Sequence, residues 1–131
     1  MQGTPAAGDM TYSAERRYAP TLTAPRRARQ FVDEFLEFVS GEDLREAADV
    51  LTSEVVADAV RQAPSQIRLH VEFDSRVLRI EVSEDRGFVA NPDAGEFERS
   101  TGLQLVAALA GSWGSDLDRG RTTTWFELNS Q

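Results

Sequence analysis

The sequence predicts an α+β fold, a two-layer sandwich in which three helices cover one face of an antiparallel-rich mixed sheet. Apolar residues recur at helical spacing in three stretches, and they alternate with polar residues in five others. These patterns follow the order strand, helix, helix, strand, strand, loop, helix, strand, strand. We predict a disordered tail over residues 1–10 and a single domain over residues 11–131.

The composition narrows the class of protein. A net charge of −8 argues against nonspecific binding to nucleic acid or to anionic membranes. No apolar run is long enough to span a bilayer, and the N-terminus has no signal-peptide apolar region. The absence of cysteine excludes disulfides and thiolate metal sites, and it is compatible with the cytoplasmic location that we expect.

The N-terminal part of the domain is predicted to form a strand and then a helix. Alternating residues favour a strand over Thr11–Ala19. The helix follows Thr23 as its N-cap, carries Pro25 in its first turn and ends at Gly41. We interpret its apolar stripe as part of the core, with a partner-binding surface as the alternative. The stripe consists of Ala28, Phe31, Val32, Phe35, Leu36 and Val39.

The second helix contains the first candidate for a functional site. It is predicted to open at Asp43 and to stop near Ala63–Pro64, and its second half is apolar almost all round. Glu54 and Asp58 interrupt this apolar surface, and their spacing places them on one face with Gln62 one turn further on. Because like charges repel at this spacing, and more strongly when buried, we expect an arginine, a metal or a ligand to compensate them.

A hairpin follows the second helix and adds a third acidic residue. Apolar and polar side chains alternate along Ile67–Phe73 and Leu78–Val82, on either side of a tight turn at Asp74–Ser75. Continued alternation places Glu84, and not Asp85, on the buried side of the sheet. The alternative is that the second strand has already ended before this residue.

The C-terminal part is predicted to contain a loop, a third helix and a last hairpin. Periodicity stops over residues 85–100, which indicates a long loop. Ser100 or Thr101 caps the third helix, and Gly102 lies in its first turn. Bare amides at such a helix start can bind phosphate, although the same features suit any capped helix. The predicted strands of the last hairpin are Trp113–Leu117 and Thr122–Leu128.

Five segments carry a resemblance through their order and spacing: A-P-R-R-A-R-Q-F-V (24–32), T-S-E-V-V-A-D-A-V-R-Q-A (52–63), L-R-I-E-V-S-E-D-R-G (78–87), S-T-G-L-Q-L-V-A-A-L-A-G-S-W-G (100–114) and T-T-T-W-F-E-L (122–128). Together they resemble the GHKL superfamily of ATP-binding folds, which includes gyrase, heat-shock chaperone, histidine kinase and mismatch-repair ATPases. Within it, the chain is most similar to the small anti-sigma-factor/serine-kinase branch common in actinobacteria. The resemblance implies a Bergerat-type ATP-binding fold, with ATP and Mg²⁺ as cofactors.

The resemblance also implies roles for the acidic residues. Glu54 matches the family's acidic residue that acts as general base or positions the attacking group. Asp58 stands where the family usually has the asparagine that holds Mg²⁺ against the phosphates, and aspartate can also bind Mg²⁺. Glu84 stands where the family has the aspartate that reads the adenine amino group. Asp85, with Gly87 two residues on, offers a shifted alternative.

Other departures from the family pattern fall in the same nucleotide site. Residues 100–103 match a Gly-x-Gly-Leu motif in which Gly102 and Leu103 remain and the first glycine is replaced by serine. Gln62 replaces a frequent histidine. Thr123, counted back from Trp125, fits the threonine that lies near adenine. The scaffold positions match, whereas several positions of the nucleotide site are altered.

Two functions remain open on this reading. An active anti-sigma regulator would bind ATP·Mg²⁺, phosphorylate a serine or threonine of an anti-sigma antagonist, and sequester a sigma factor. A degenerate relative would keep the fold and a protein-binding surface but bind nucleotide weakly or not at all. In both cases the resemblance implies a sigma factor, an antagonist or both as partners, and it suggests a homodimer.

Overall fold

The computed structural model describes residues 10–62, 65–85 and 108–130. Within these ranges five strands and two α-helices follow one another in the predicted order, which confirms the α+β prediction. The elements are β1 (Thr11–Tyr18), α1 (Ala24–Phe38), α2 (Arg45–Gln62), β2 (Ile67–Asp74), β3 (Val77–Asp85), β4 (Ser112–Asp118) and β5 (Arg121–Asn129).

The five strands form one sheet in the order β1-β2-β3-β5-β4, and every pairing between them is antiparallel. The prediction of a mixed sheet is therefore wrong for the described strands. Two of the four pairs are hairpins, which are antiparallel by construction. Between β1 and β2 the chain runs out along α1 and back along α2, so it re-enters the sheet at the end where it left.

Side-chain alternation places the core between the sheet and the helices. Leu69 of β2 lies opposite Val82 of β3, and Val71 lies opposite Ile80, which in turn faces Phe126 of β5. All five side chains are buried on the helix side of the sheet. Burying an aliphatic or aromatic side chain contributes about 1.5–3 kcal/mol, so this shared face is a major source of the stability.

The apolar stripe of α1 packs into the core, as the first of the two alternatives proposed. Phe31, Val32, Phe35 and Leu36 are all buried. Phe38, which lies outside the stripe, has 73% of its surface exposed. Most of the stripe is therefore not available as a partner-binding surface.

The start of α2 differs from the prediction. The helix begins at Arg45, after a 3₁₀ turn over Glu42–Leu44 that contains Asp43. Both carboxylate oxygens of Asp43 accept a hydrogen bond from Ser130 Oγ at 2.9 Å. Asp43 thus contacts the end of the chain beyond β5, and the α-helix starts two residues later than expected.

Helix α1 ends in a Schellman motif that places a serine, and not the expected glycine, in the left-handed region. Ser40 has φ 59°, whereas Gly41 has φ −106°. The Gly41 N–H donates to the Leu36 carbonyl at 2.8 Å, which is the outer hydrogen bond of this motif. Gly41 is constrained sterically and not by its backbone conformation, because a Cβ atom added there would lie 3.1 Å from Leu36 Cδ2.

Several predicted features lie outside the described residues. These are the tail up to residue 9, the loop after Asp85, and the third helix except its end, where Ala108 and Leu109 are helical. Among the described residues, no helix combines the length and apolar composition that a membrane span requires.

The Schellman motif gives a first testable prediction. Ser40→Gly should raise the free energy of unfolding by about 0.5–1 kcal/mol, because glycine adopts positive φ without a Cβ clash. Urea unfolding measures this change. Ser65→Gly is the matched control, since Ser65 is an exposed serine outside the positive-φ positions and should show no gain. Equal effects of both substitutions would contradict the interpretation.

Candidate functional site

Helix α2 holds three of the predicted site residues on one face. Glu54, Asp58 and Gln62 follow one another at one-turn intervals. Asp58 is buried, with 6% of its surface exposed, while Glu54 and Gln62 are half-buried. A carboxylate at this depth costs free energy unless a positive charge or hydrogen-bond donors compensate it.

Asp58 receives that compensation from its own helix. Arg61 Nη2 lies 3.0 Å from Asp58 Oδ1, and Gln62 Nε2 lies 3.5 Å and 3.4 Å from the two carboxylate oxygens. The sequence predicts that these acids are compensated, but it was not used to predict that Arg61 supplies the charge. The i,i+3 spacing of an acid and an arginine on one helix is the signal that could have found it.

Glu84 lies on the helix side of the sheet, as the alternation predicted. It follows Val82 by two positions and is buried, with 5% of its surface exposed. Strand β3 extends to Asp85, so the alternative that the strand has already ended is wrong. Asp85 points to the opposite, exposed face and forms an ion pair with Arg121 at 3.3 Å. Glu84 is therefore a second buried carboxylate, in addition to Asp58.

The chain connection brings Glu84 to the end of the sheet that α2 approaches. Glu84 pairs with Ile67, the first residue of β2. Helix α2 ends at Gln62, five residues earlier, and five residues span at most about 18 Å. Helix α2 also packs against β3. The region between the helices and this end of the sheet therefore contains Glu84 and lies toward the C-terminal end of α2.

Thr123 does not belong to this region. It is opposite Ser83 on the face of the sheet that points away from the helices. Thr122 and Thr124 lie on the helix side instead, and both are buried. The alternation counted back from Phe126, which is buried on the helix side, is the signal that would have selected these two threonines.

Thr122 is the second polar group beside Glu84. The two residues are directly opposite in the β3–β5 register, and Thr122 Oγ1 is buried without a hydrogen-bond partner among the described residues. A buried hydroxyl without a partner costs free energy that a ligand atom would offset. A carboxylate acceptor beside a free hydroxyl matches the hydrogen-bonding edge of an adenine ring, so the residues present fit the base of ATP.

The residues present also fit Mg²⁺ in part. Mg²⁺ is bound in proteins through one or two carboxylates together with phosphate oxygens and water. Among the described residues, Gln62 Nε2 is the only hydrogen-bond donor to Asp58 Oδ2, at 3.4 Å, so this is the more available oxygen of the group. No cluster of three or more acidic, histidine or cysteine side chains suited to a metal occurs in the described ranges. A magnesium ion would therefore depend on phosphate oxygens for most of its coordination.

A groove of about 120 Å³ opens at the same end of the sheet. Glu84 is one of the residues that line the groove. Most of the other lining side chains belong to the face of the sheet that points away from the helices. Neither Asp58 nor Gln62 lines the groove. Its arginines have polar partners already: Asp85 for Arg121, Ser83 for Arg68 and Glu15 for Arg17. We therefore place the candidate site on the helix side. The groove is lined by Arg17, Gln66, Arg68, Ser83, Glu84, Asp85 and Arg121.

Three predicted nucleotide-site residues cannot be placed relative to this region. Gly87, Gly102 and Leu103 lie outside the described residues. The structure thus brings together Glu54, Asp58 and Gln62 on α2 and places Glu84 on the same side of the sheet.

Comparison with known proteins finds similarity among solved structures. No protein-family model and no curated protein matches the sequence. Among solved structures, the chain is similar to the crystal structure of the RsbU and RsbW domains of Rv1364c from Mycobacterium tuberculosis, with a TM-score of 0.72 and 18% sequence identity. The match covers 91% of this chain and 32% of that chain, so the present chain spans about a third of its length. At this identity the similarity establishes a shared fold.

The ion pair at Asp58 gives a second prediction, tested by a double-mutant cycle. Arg61→Gln should lower the free energy of unfolding by about 1 kcal/mol, the upper end for a pair whose arginine is 62% exposed. In an Asp58→Asn background the same substitution should cost less than half as much, because the buried negative charge is gone. Arg26→Gln, at an exposed position of α1, is the control. Equal costs of Arg61→Gln in both backgrounds would show that the two side chains are not coupled.

Proposed function

We propose that the protein is a regulator of the anti-sigma type, which binds ATP·Mg²⁺ and phosphorylates a serine or threonine of an anti-sigma antagonist while sequestering a sigma factor. Two independent lines support the proposal. The five sequence segments resemble the anti-sigma-factor/serine-kinase branch of the GHKL superfamily. The fold is shared with a structure that contains an RsbW domain, the part of that chain to which we assign the match.

The observation that carries the proposal is the burial of Asp58 and Glu84 on the same side of the sheet. A core without a ligand has no need of acids at positions where the pattern calls for apolar residues, and each costs free energy. In the proposed site Asp58 would hold Mg²⁺, with Gln62 beside it. Glu84 would accept a hydrogen bond from the adenine amino group, and Thr122 would bond to the ring.

Glu54 is assigned the role of general base. It is half-buried one turn from Asp58, so a substrate hydroxyl can reach it while Asp58 stays inside. Glu54 would accept the hydroxyl proton as the hydroxyl oxygen bonds to the γ-phosphorus and ADP leaves. Phosphoryl transfer depends mainly on positioning and charge stabilisation, which a rigid helix can supply.

Protein partners are proposed from the same resemblance. The apolar surface left on α1 for a partner or for a homodimer is centred on Phe38, whose ring contacts that of Tyr12 edge-on at 5.6 Å. The net charge of −8 favours a protein partner over nucleic acid.

A second candidate function is a degenerate domain that binds a partner protein but little or no nucleotide. The ion pair between Arg61 and Asp58 favours it, because the aspartate already has a positive partner without a metal. An aspartate in place of the usual asparagine also adds a negative charge facing a triphosphate. Both functions agree with the fold, and nucleotide binding separates them.

Nucleotide binding is the third prediction. Mg·ATP at about 100 times its dissociation constant should stabilise the folded protein by roughly 2.7 kcal/mol, measured by thermal unfolding or calorimetry. Glu54→Ala should retain most of this binding but abolish transfer of radiolabelled phosphate to an antagonist protein. Glu46→Ala, at an exposed position in the first turn of the same helix, should change neither. Absence of any stabilisation at millimolar Mg·ATP would refute the kinase function and leave the degenerate domain.

The fourth prediction concerns Asp58 itself. Asp58→Asn should tighten Mg·ATP binding by about tenfold, because the substitution removes a negative charge facing the phosphates and leaves Arg61 free to attract them. Calorimetric titration of both proteins in the same buffer gives the two dissociation constants. Because asparagine keeps a side-chain oxygen that can hold Mg²⁺, weaker binding by the variant would show instead that the metal needs the full negative charge of the aspartate.

A further inference from the structure

A second group of charged residues lies between the two helices, apart from the candidate site. Arg29 of α1 donates a hydrogen bond to Ser53 Oγ of α2 at 2.8 Å, and Ser53 Oγ donates to the Asp49 carbonyl oxygen at 2.7 Å. Asp33 of α1 faces Asp49 of α2 in the same layer, next to Arg45. We call these five residues the α1–α2 polar seam.

The two carboxyl groups of the polar seam are close together and largely withdrawn from water. Their side chains are 27% exposed for Asp33 and 25% exposed for Asp49. The Oδ1 atom of each is buried, and neither has a hydrogen-bond donor among the described residues as long as both groups are ionised. Carboxylates only accept hydrogen bonds. One proton between the two groups supplies the missing donor.

The neighbouring arginines do not remove the repulsion between these groups. Arg45 Nε lies 3.5 Å from Asp33 Oδ1 and 3.8 Å from Asp49 Oδ2, which is ion-pair range but long for hydrogen bonds. Its side chain is 65% exposed, so water weakens its attraction. Arg29, the other charged group facing Asp49, is hydrogen-bonded to Ser53. A shared proton therefore satisfies this pair better than two negative charges do.

We propose that Asp33 and Asp49 share a proton across the helix interface, so that the packing of α1 on α2 tightens when Asp49 is protonated and loosens when it ionises. Burial raises the pKa of the Asp49 carboxyl to about 7, and the hydrogen bond and negative charge of Asp33 act in the same direction. Arg45 and Arg29 lower it, but by less. The transition thus falls in the neutral range, where few carboxyl groups titrate.

The sign of the effect on stability follows from the raised pKa. Between the ordinary value of 3.8 and about 7, the folded chain holds a proton at Asp49 that the unfolded chain has lost. Stability therefore decreases as the pH rises through this interval, and the contribution of the shared proton is gone above it. An aspartate in a strong salt bridge does the opposite. Its pKa is lowered in the folded state, so its contribution to stability increases as the pH rises.

The polar seam also reaches the candidate site through the chain. Ser53, which binds the Asp49 carbonyl, directly precedes Glu54. Loosening of the seam above neutral pH would disturb the helix turn that carries Glu54. This last consequence depends on the proposed function, whereas the proton sharing and its effect on stability do not.

The fifth prediction is tested by carbon-detected NMR of the aspartate carboxyl groups as a function of pH. In the wild-type chain the Asp49 carboxyl should titrate with a midpoint near 7. Asp33→Asn replaces the neighbouring charge by an amide that donates a hydrogen bond to the Asp49 carboxylate, so the midpoint should fall by about 1–2 pH units. A wild-type midpoint below pH 5, or no change in the variant, would overturn the proposal.

Thermal unfolding provides the second arm of the test. Asp49→Asn keeps a hydrogen-bond donor toward Asp33 at every pH, so its midpoint temperature should match the wild type at pH 5 and exceed it by about 5 °C at pH 8.5. Asp116→Asn, at an exposed position of β4, should follow the wild type at both pH values. The proposal fails if the midpoint temperature of Asp49→Asn also changes between pH 5 and pH 8.5 in the same way as that of the wild type.

Discussion

Strand β3 is hydrogen-bonded on both edges, to β2 and to β5, and this double ladder determines where the other parts of the molecule can lie. Once its register is set, Ile80 and Val82 must face the helices, and so must Glu84 two positions on. A slip of one residue would move all of these side chains to the opposite face. The buried carboxylate is thus held in place by the same pairing that builds the core.

Helix α2 packs on both α1 and the sheet, and so connects the two layers. It carries acidic side chains on two of its sides. On one side, Asp58 is balanced within the helix by Arg61 at 3.0 Å. On the side facing α1, Asp49 meets another carboxyl group, that of Asp33, with Arg45 only loosely attached. The first arrangement pairs opposite charges, whereas the second places two acidic groups together, and it is the one that we propose to respond to protons.

Much of this arrangement could be predicted from local patterns. Strict alternation identified β2, β3 and the burial of Glu84, and helical spacing identified the buried side of α1. Two kinds of feature were missed. One depends on the exact position of a residue along its strand, and the other depends on contacts between elements. Thr123 was predicted to lie near adenine, but Thr122 and Thr124 are the threonines on the helix side, which counting from the buried Phe126 would have indicated. The contact between Asp33 and Asp49 depends on how α1 lies against α2, and local spacing does not contain that information.

The register of the sheet also decides where the two ends of the described chain leave the fold. Thr11 of β1 is opposite Asp74, and Asn129 of β5 is opposite Val77, so both ends emerge beside the β2–β3 turn. Glu84 pairs at the far end of β3, about 20–25 Å away along the strands. A fluorescent label on the exposed residue Thr11 or Asn129 therefore lies on the side of the sheet remote from Glu84, and the surface around that carboxylate stays accessible to a partner.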